Sequence, residues 1–176
     1  MKFDRIWTNH ILTHGIVLGI SLSAVEFAAL YMGLLFNSAM FNIFVLLIAL
    51  SVYIAVRKFR ETALKGLIKF GEAFVTGIVM CAVAGFIWAV YRFMQYSFAP
   101  GIIEELVRIK SAAFEQTEMA AADKELFLKL LRAFSTPFSL ALLNTFFINM
   151  ILGGAFISML MGYLLQRKEL PRYPEF

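Results

Sequence analysis

A length of 176 residues suits a single domain, yet 61% of this chain is apolar, 19 positions are Phe and only 16% are charged. Such a chain cannot hide its apolar surface within itself, which excludes an ordinary soluble fold. The net charge of +4 does not point to a nucleic-acid partner either, because Lys and Arg sit in short clusters beside long apolar runs, as anionic lipid headgroups require, and form no continuous stripe.

The first apolar run, residues 10–36, follows Lys2 and Arg5, and Ser21, Ser23 and Ala24 imitate the cleavage site of a secretory signal. It stays apolar well beyond that site, so it reads as an uncleaved span. Asn37, Ser38 and Asn42 make a short polar break, and residues 39–56 form a second span in a tight hairpin with the first. Arg57, Lys58, Arg60, Lys65 and Lys69 then form the densest positive cluster in the chain. A third span covers residues 70–98, long enough to tilt or to project, and a fourth covers 138–165, after Pro137 and before Gln166, Arg167 and Lys168. The expected fold is an all-α membrane domain with four transmembrane helices.

Orientation follows from the connections. Residues 37–42 carry no Lys or Arg, the next connection carries five, and both ends of the chain are basic, which places both termini and the 57–69 segment on the cytoplasmic side. The connection 99–136 balances its charges and falls outside. Within it Ile102, Ile103, Leu106, Val107 and Ile109 recur at helical spacing, as do Phe127, Leu130, Leu131 and Phe134, with Thr117 and Glu118 as a possible start. These segments predict two amphipathic helices, with Asp123, Lys124 and Lys129 toward water. Trp88, Tyr91 and Tyr96 near the outer end, and Trp7, Tyr53 and Tyr163 near the inner one, are expected as interfacial aromatics.

Catalytic patterns are absent: there is no Gly-rich phosphate loop, no paired-His metal motif and no nucleophile elbow. Cys81 is the single cysteine, so no internal disulfide and no cysteine-based metal site is expected. His10 and His14 share a helix face, but no acidic residue or cysteine in nearby turns completes a ligand set, so they read as interfacial histidines and no metal or cofactor is expected. Glu72, at the start of span three, reads as a helix cap near Lys69.

Charges inside the spans say more, since one at the bilayer centre costs about 2.5–3.5 kcal/mol even on a lenient scale. With Phe36, Pro100 and Pro137 as outer ends, Glu26 lies about 15 Å deep, Arg92 about 12 Å and Asn149 about 18 Å. These depths predict a shared polar cluster of Glu26, Arg92 and Asn149, with Asn144 and Thr145 joining. It reads either as a buried ion pair fixing helix register or as part of a transport route. Gly15, Gly19 and Ser23 on span one, and Gly154, Ser158 and Gly162 on span four, fall four apart and let backbones approach, inside the bundle or against a second copy.

Residues 57–100 include the basic run after span two, the stretch Lys69, Phe70, Gly71, Glu72, Ala73 and Phe74, then Gly77 and a Tyr-rich end before Pro100. This segment resembles the bacterial membrane family known as domain of unknown function 4199 (DUF4199), found mainly in Bacteroidota. Gly15 to Gly19 and Gly153 to Gly162 look similar as well, so the resemblance covers most of the chain. It implies four spans with a helical insertion before the last, no assigned activity, and a membrane partner such as a glycosyltransferase acting on lipid-linked sugars.

Without catalytic groups, and with small-residue faces and basic segments for docking, the expected function is a non-enzymatic accessory or scaffolding subunit. Its partners would be membrane lipids and another membrane protein or a second copy. The alternative is a small transporter or lipid-handling protein that uses Glu26.

Overall fold

The computed structural model describes residues 5–116 and 121–167. Six helices follow in order: α1 (Arg5–Tyr31), α2 (Ser38–Thr62), α3 (Phe70–Phe98), α4 (Gly101–Glu115), α5 (Ala121–Phe134) and α6 (Pro137–Leu165). Four of them, α1, α2, α3 and α6, are long and apolar enough to cross a membrane. The expected all-α class with four spans is therefore the observed one. The connection 99–136 contains helices α4 and α5, while the proposed start at Thr117 and Glu118 lies outside the described residues.

Helix ends differ from the apolar runs. α1 stops at Tyr31 although the sequence stays apolar to Phe36, because Gly33 takes the left-handed conformation at φ +71° and turns the chain. Its N–H meets Leu30 O at 3.1 Å and Leu34 N–H meets Ala29 O at 2.8 Å, the pair of bonds that closes a glycine-terminated helix. Asn37 then caps α2, accepting from the Ala39 N–H at 2.9 Å. α2 runs on past Val56 to Thr62, so Arg57, Lys58 and Arg60 belong to a helix and not to a loop. α3 starts where expected, with Glu72 accepting from the Lys69 N–H at 3.0 Å. α6 opens with Pro137 in its first turn and Thr136 as cap, whose Oγ1 accepts from Ser139 N–H at 3.2 Å.

The last span is not one uniform helix. Residues Leu140–Leu152 are π-helical, and only Gly153–Leu165 returns to α geometry. π turns align residues five apart instead of four, and they gather at functional sites more often than elsewhere in helices.

α3 is the centre of the bundle, packed by α1 and by both halves of α6, while α2 closes the ring against α1 and α6. Leu18, Leu22, Val52, Met80, Ala84 and Met150 meet in the core with almost no exposed surface. The outward residues, among them Phe27, Leu46, Phe86 and Phe156, are exposed and apolar, as a lipid-facing surface requires. The helices alternate in direction. At the end where α1 begins, Trp7 Nε1 donates to Thr76 Oγ1 at 3.1 Å and Arg60 Nη1 donates to Leu165 O at 3.2 Å. There Ile68 and Arg167 also exchange backbone hydrogen bonds of 3.3 and 2.9 Å, tying the α2–α3 connection to the end of α6.

Both small-residue faces turn inward, toward α3 and not toward each other. Gly15 and Gly19 lie against Val83, Ala84 and Ile87, and Gly154 lies against Cys81. Ser158 fits the space left by Gly77, and Gly162 faces Phe70. Ser23 is half-buried and bonds back to Gly19 O at 2.9 Å.

Three aromatics expected at the interface are core residues: Trp7 is 8% exposed, Trp88 2% and Tyr96 6%. Burial is tolerated at the two indoles because each N–H finds an acceptor inside the bundle. Tyr163, at 70% exposed, does lie on the surface.

α4 and α5 pack on each other at the far end, where Phe114 stacks on Phe127 with centroids 3.5 Å apart and Lys124 Nζ donates to Glu115 O at 3.0 Å. Of the α5 residues expected to turn toward the bundle or the bilayer, Phe127 and Leu131 are half-buried and Leu130 and Phe134 are exposed.

Candidate functional site: a buried ion pair beside an open cleft

Glu26 on α1 has no exposed surface, and its carboxylate faces α3. Trp88 and Arg92 come from successive turns of α3, four residues apart and hence on one face. Trp88 Nε1 donates to Glu26 Oε2 at 2.5 Å, and Arg92 Nε lies 2.9 Å from both carboxylate oxygens. Hydrogen-bond geometry is met at Oε2, while Oε1 has the ion pair alone among the described residues. The guanidinium carbon sits 4.6 Å from the centre of the Trp88 ring, a cation–π contact that shields one side of the charge. Arg92 Nη1 also donates to Thr145 Oγ1 at 3.3 Å, and that hydroxyl donates in turn to Leu140 O at 3.2 Å, five residues earlier in the π turn.

Glu26, Arg92 and Thr145 thus come together as the depth argument expects. Asn149 does not join them. Its Nδ2 donates to Asn144 Oδ1 at 3.3 Å, so the two asparagines form a separate pair. The π geometry explains the split. In an α-helix Thr145 and Asn149 would share a face, whereas spacing by five pairs Asn149 with Asn144. Trp88 is the member that sequence reasoning missed. Its position one turn before the in-span Arg92 was the available signal.

Between α2, α3, α4 and α6 opens a cleft of about 610 Å³, whose wall includes Trp88, Arg92, Asn149, Asn37 and Lys110. Glu26 does not line it. The cleft reaches the guanidinium, whose side chain is 13% exposed, and stops there. On α4 a hydrogen bond from Arg108 at 2.8 Å holds the half-buried Glu105 carboxyl below its ordinary range.

The expected basic patch loses one member. Arg57, Lys58, Lys65 and Lys69 are exposed, but Arg60 is buried and serves a carbonyl at the end of α6, where a cation is favoured by the helix C-terminus. Arg57 is engaged by Glu61 at 3.0 Å. The His10 and His14 rings lie 4.4 Å apart, tilted at 53° to each other, with His10 Nε2 2.8 Å from Ala55 O. No group of three or more His, Cys, Asp or Glu able to hold a metal occurs among the described residues.

Four apolar helices around a buried acid–base pair define the class, a multi-pass helical membrane protein. The chain belongs to the family described as Protein of unknown function (DUF4199), whose model matches residues 13–167. No curated protein and no solved structure matches it.

Proposed function

We propose that the chain is a non-enzymatic accessory subunit of a bacterial inner membrane, holding or stabilising another membrane component. The family resemblance suggests a lipid-linked-sugar glycosyltransferase as that component. One observation carries the reading: Glu26 has no exposed surface and is held by Trp88 and Arg92. A carboxylate so enclosed fixes α1 against α3. A proton or solute relay would need water to reach it, and the nearby cleft ends at Arg92. The exposed Arg57, Lys58, Lys65 and Lys69 leave a cationic docking surface at the end where α1 begins.

Affinity purification in mild detergent at native expression tests the accessory role, with stoichiometric recovery of a second membrane protein as the expected result. A chain recovered alone would refute it.

Cytoplasmic location of that basic end rests on the Lys and Arg asymmetry of the connections. Reporter fusions after Lys65 and after Lys168 are expected to report cytoplasm, and one near Glu118 the opposite side. A cytoplasmic signal near Glu118 would reverse the assignment.

A further inference from the structure

The cleft is lined by both apolar and cationic side chains. On α2, Met40, Phe44 and Ile48 lie four apart and give an apolar wall about 12 Å long. Arg92 and Lys110 add two cations to the lining, and Asn149 a polar amide. Arg92 uses Nε for Glu26 and Nη1 for Thr145, and its remaining nitrogen has no acceptor among the described residues and is not enclosed. Lys110 is exposed and has no acidic partner among the described residues. Glu26 balances one of the two charges, so the mouth of the cleft keeps a net positive charge.

Depth indicates what could neutralise it. α3 has 29 residues and is about 43 Å long against a hydrocarbon layer of about 30 Å, so each end of a centred helix projects by about 7 Å. Arg92 lies about 9 Å from the end of α3 at Phe98, within a few ångströms of the edge of the hydrocarbon layer. Phe44 lies about 9 Å from the start of α2, packed on the Trp88 ring beside Arg92, and Ile48 lies about 6 Å deeper, so a phosphate held at Arg92 leaves a phospholipid acyl chain to run inward along Ile48. The cavity volume lies in the range of sites that enclose one small amphiphile.

We propose that this cleft binds one anionic phospholipid, its phosphate between Arg92 and Lys110 and an acyl chain against Phe44 and Ile48. Arg92 then has two anionic neighbours, Glu26 behind it and the phosphate in front. Occupancy by the lipid would link α4 to α2 and α3 through Lys110.

Trp88 lines the cleft and supplies the readout. In the full chain carrying Trp7→Phe, Trp88 is the only tryptophan. Phosphatidylglycerol brominated on its acyl chain, titrated in mild detergent, is expected to quench Trp88 saturably at one lipid per chain, about tenfold more tightly than brominated phosphatidylcholine. Lys110→Glu, on an exposed side chain, should weaken the anionic lipid by about tenfold or more and leave phosphatidylcholine unchanged. Equal quenching by both lipids, or indifference to Lys110→Glu, would overturn the proposal. Displacement of the lipid by inorganic phosphate alone would also overturn it, since the site would then be one for a free anion. If Trp7→Phe fails to fold, native mass spectrometry of the unmodified chain and of Lys110→Glu, counting retained phosphatidylglycerol, gives the same comparison.

Discussion

Replacing Glu26 by Gln is expected to cost about 3–5 kcal/mol of stability, the largest single effect in the chain, because Arg92 is left buried without its counter-charge. The amide keeps the shape of the carboxylate and an oxygen for Trp88 Nε1, so lost charge and not a cavity is what the change reports. Adding Arg92→Gln removes the stranded cation and should recover part of the loss, with a coupling of about 0.5–3 kcal/mol between the two positions. Thermal unfolding of the single and double variants in detergent measures it. Strictly additive losses would mean that the 2.9 Å contact contributes nothing as a pair. If Glu26→Gln instead kept its melting temperature while abolishing a proton-dependent flux, the transport reading would replace the structural one.

The second large effect belongs to Gly19, where a Cβ would stand 2.9 Å from Ala84 O, 3.2 Å from Ala84 Cα and 2.8 Å from Ile87 Cβ. Two of those neighbours are backbone and cannot rotate aside, so α1 and α3 must separate. Gly19→Ala is expected to cost about 1–3 kcal/mol and Gly19→Leu to prevent assembly of the bundle. Gly71→Ala is the control, because a Cβ there meets nothing within 4 Å, and it should change stability by about 0.5 kcal/mol or less. Melting temperatures of the three variants decide it, and a Gly19→Leu protein as stable as Gly71→Ala would refute the close α1–α3 contact.

The spans were legible because an apolar run of about twenty residues has few other uses. Their ends were less so. Past Tyr31, Leu34, Leu35 and Phe36 are as apolar as the helix before them, and only the left-handed turn at Gly33 marks the stop. The helix continues through Arg57 and Arg60 because nothing between them and Thr62 breaks it.

The ion pair could be read from two charges at similar depth in apolar helices, a pattern that lipid itself penalises. Its indole partner was harder to read, since Trp88 carries the same composition signal as an interfacial tryptophan and only its place one turn before Arg92 hints at the pairing. Asn149 was misplaced for a different reason. Depth arguments assume α geometry throughout, and the Leu140–Leu152 stretch departs from it without Pro or Gly inside it to give warning. Arg60 shows the limit of reading charge clusters, because its acceptor at Leu165 is 105 residues away.

Sequence separation sets a clock on the buried pair. Arg92 lies 66 residues after Glu26, and at about 5–20 residues per second the ribosome needs about 3–13 s to make that stretch. α1 is therefore complete for several seconds before the guanidinium that balances its carboxyl exists. Thr145, which completes the contact, comes a further 53 residues later. Throughout that interval the nascent first helix must keep its acid supplied with water, a proton or a neighbour in the insertion machinery, and only arrival of α3 lets it leave for lipid.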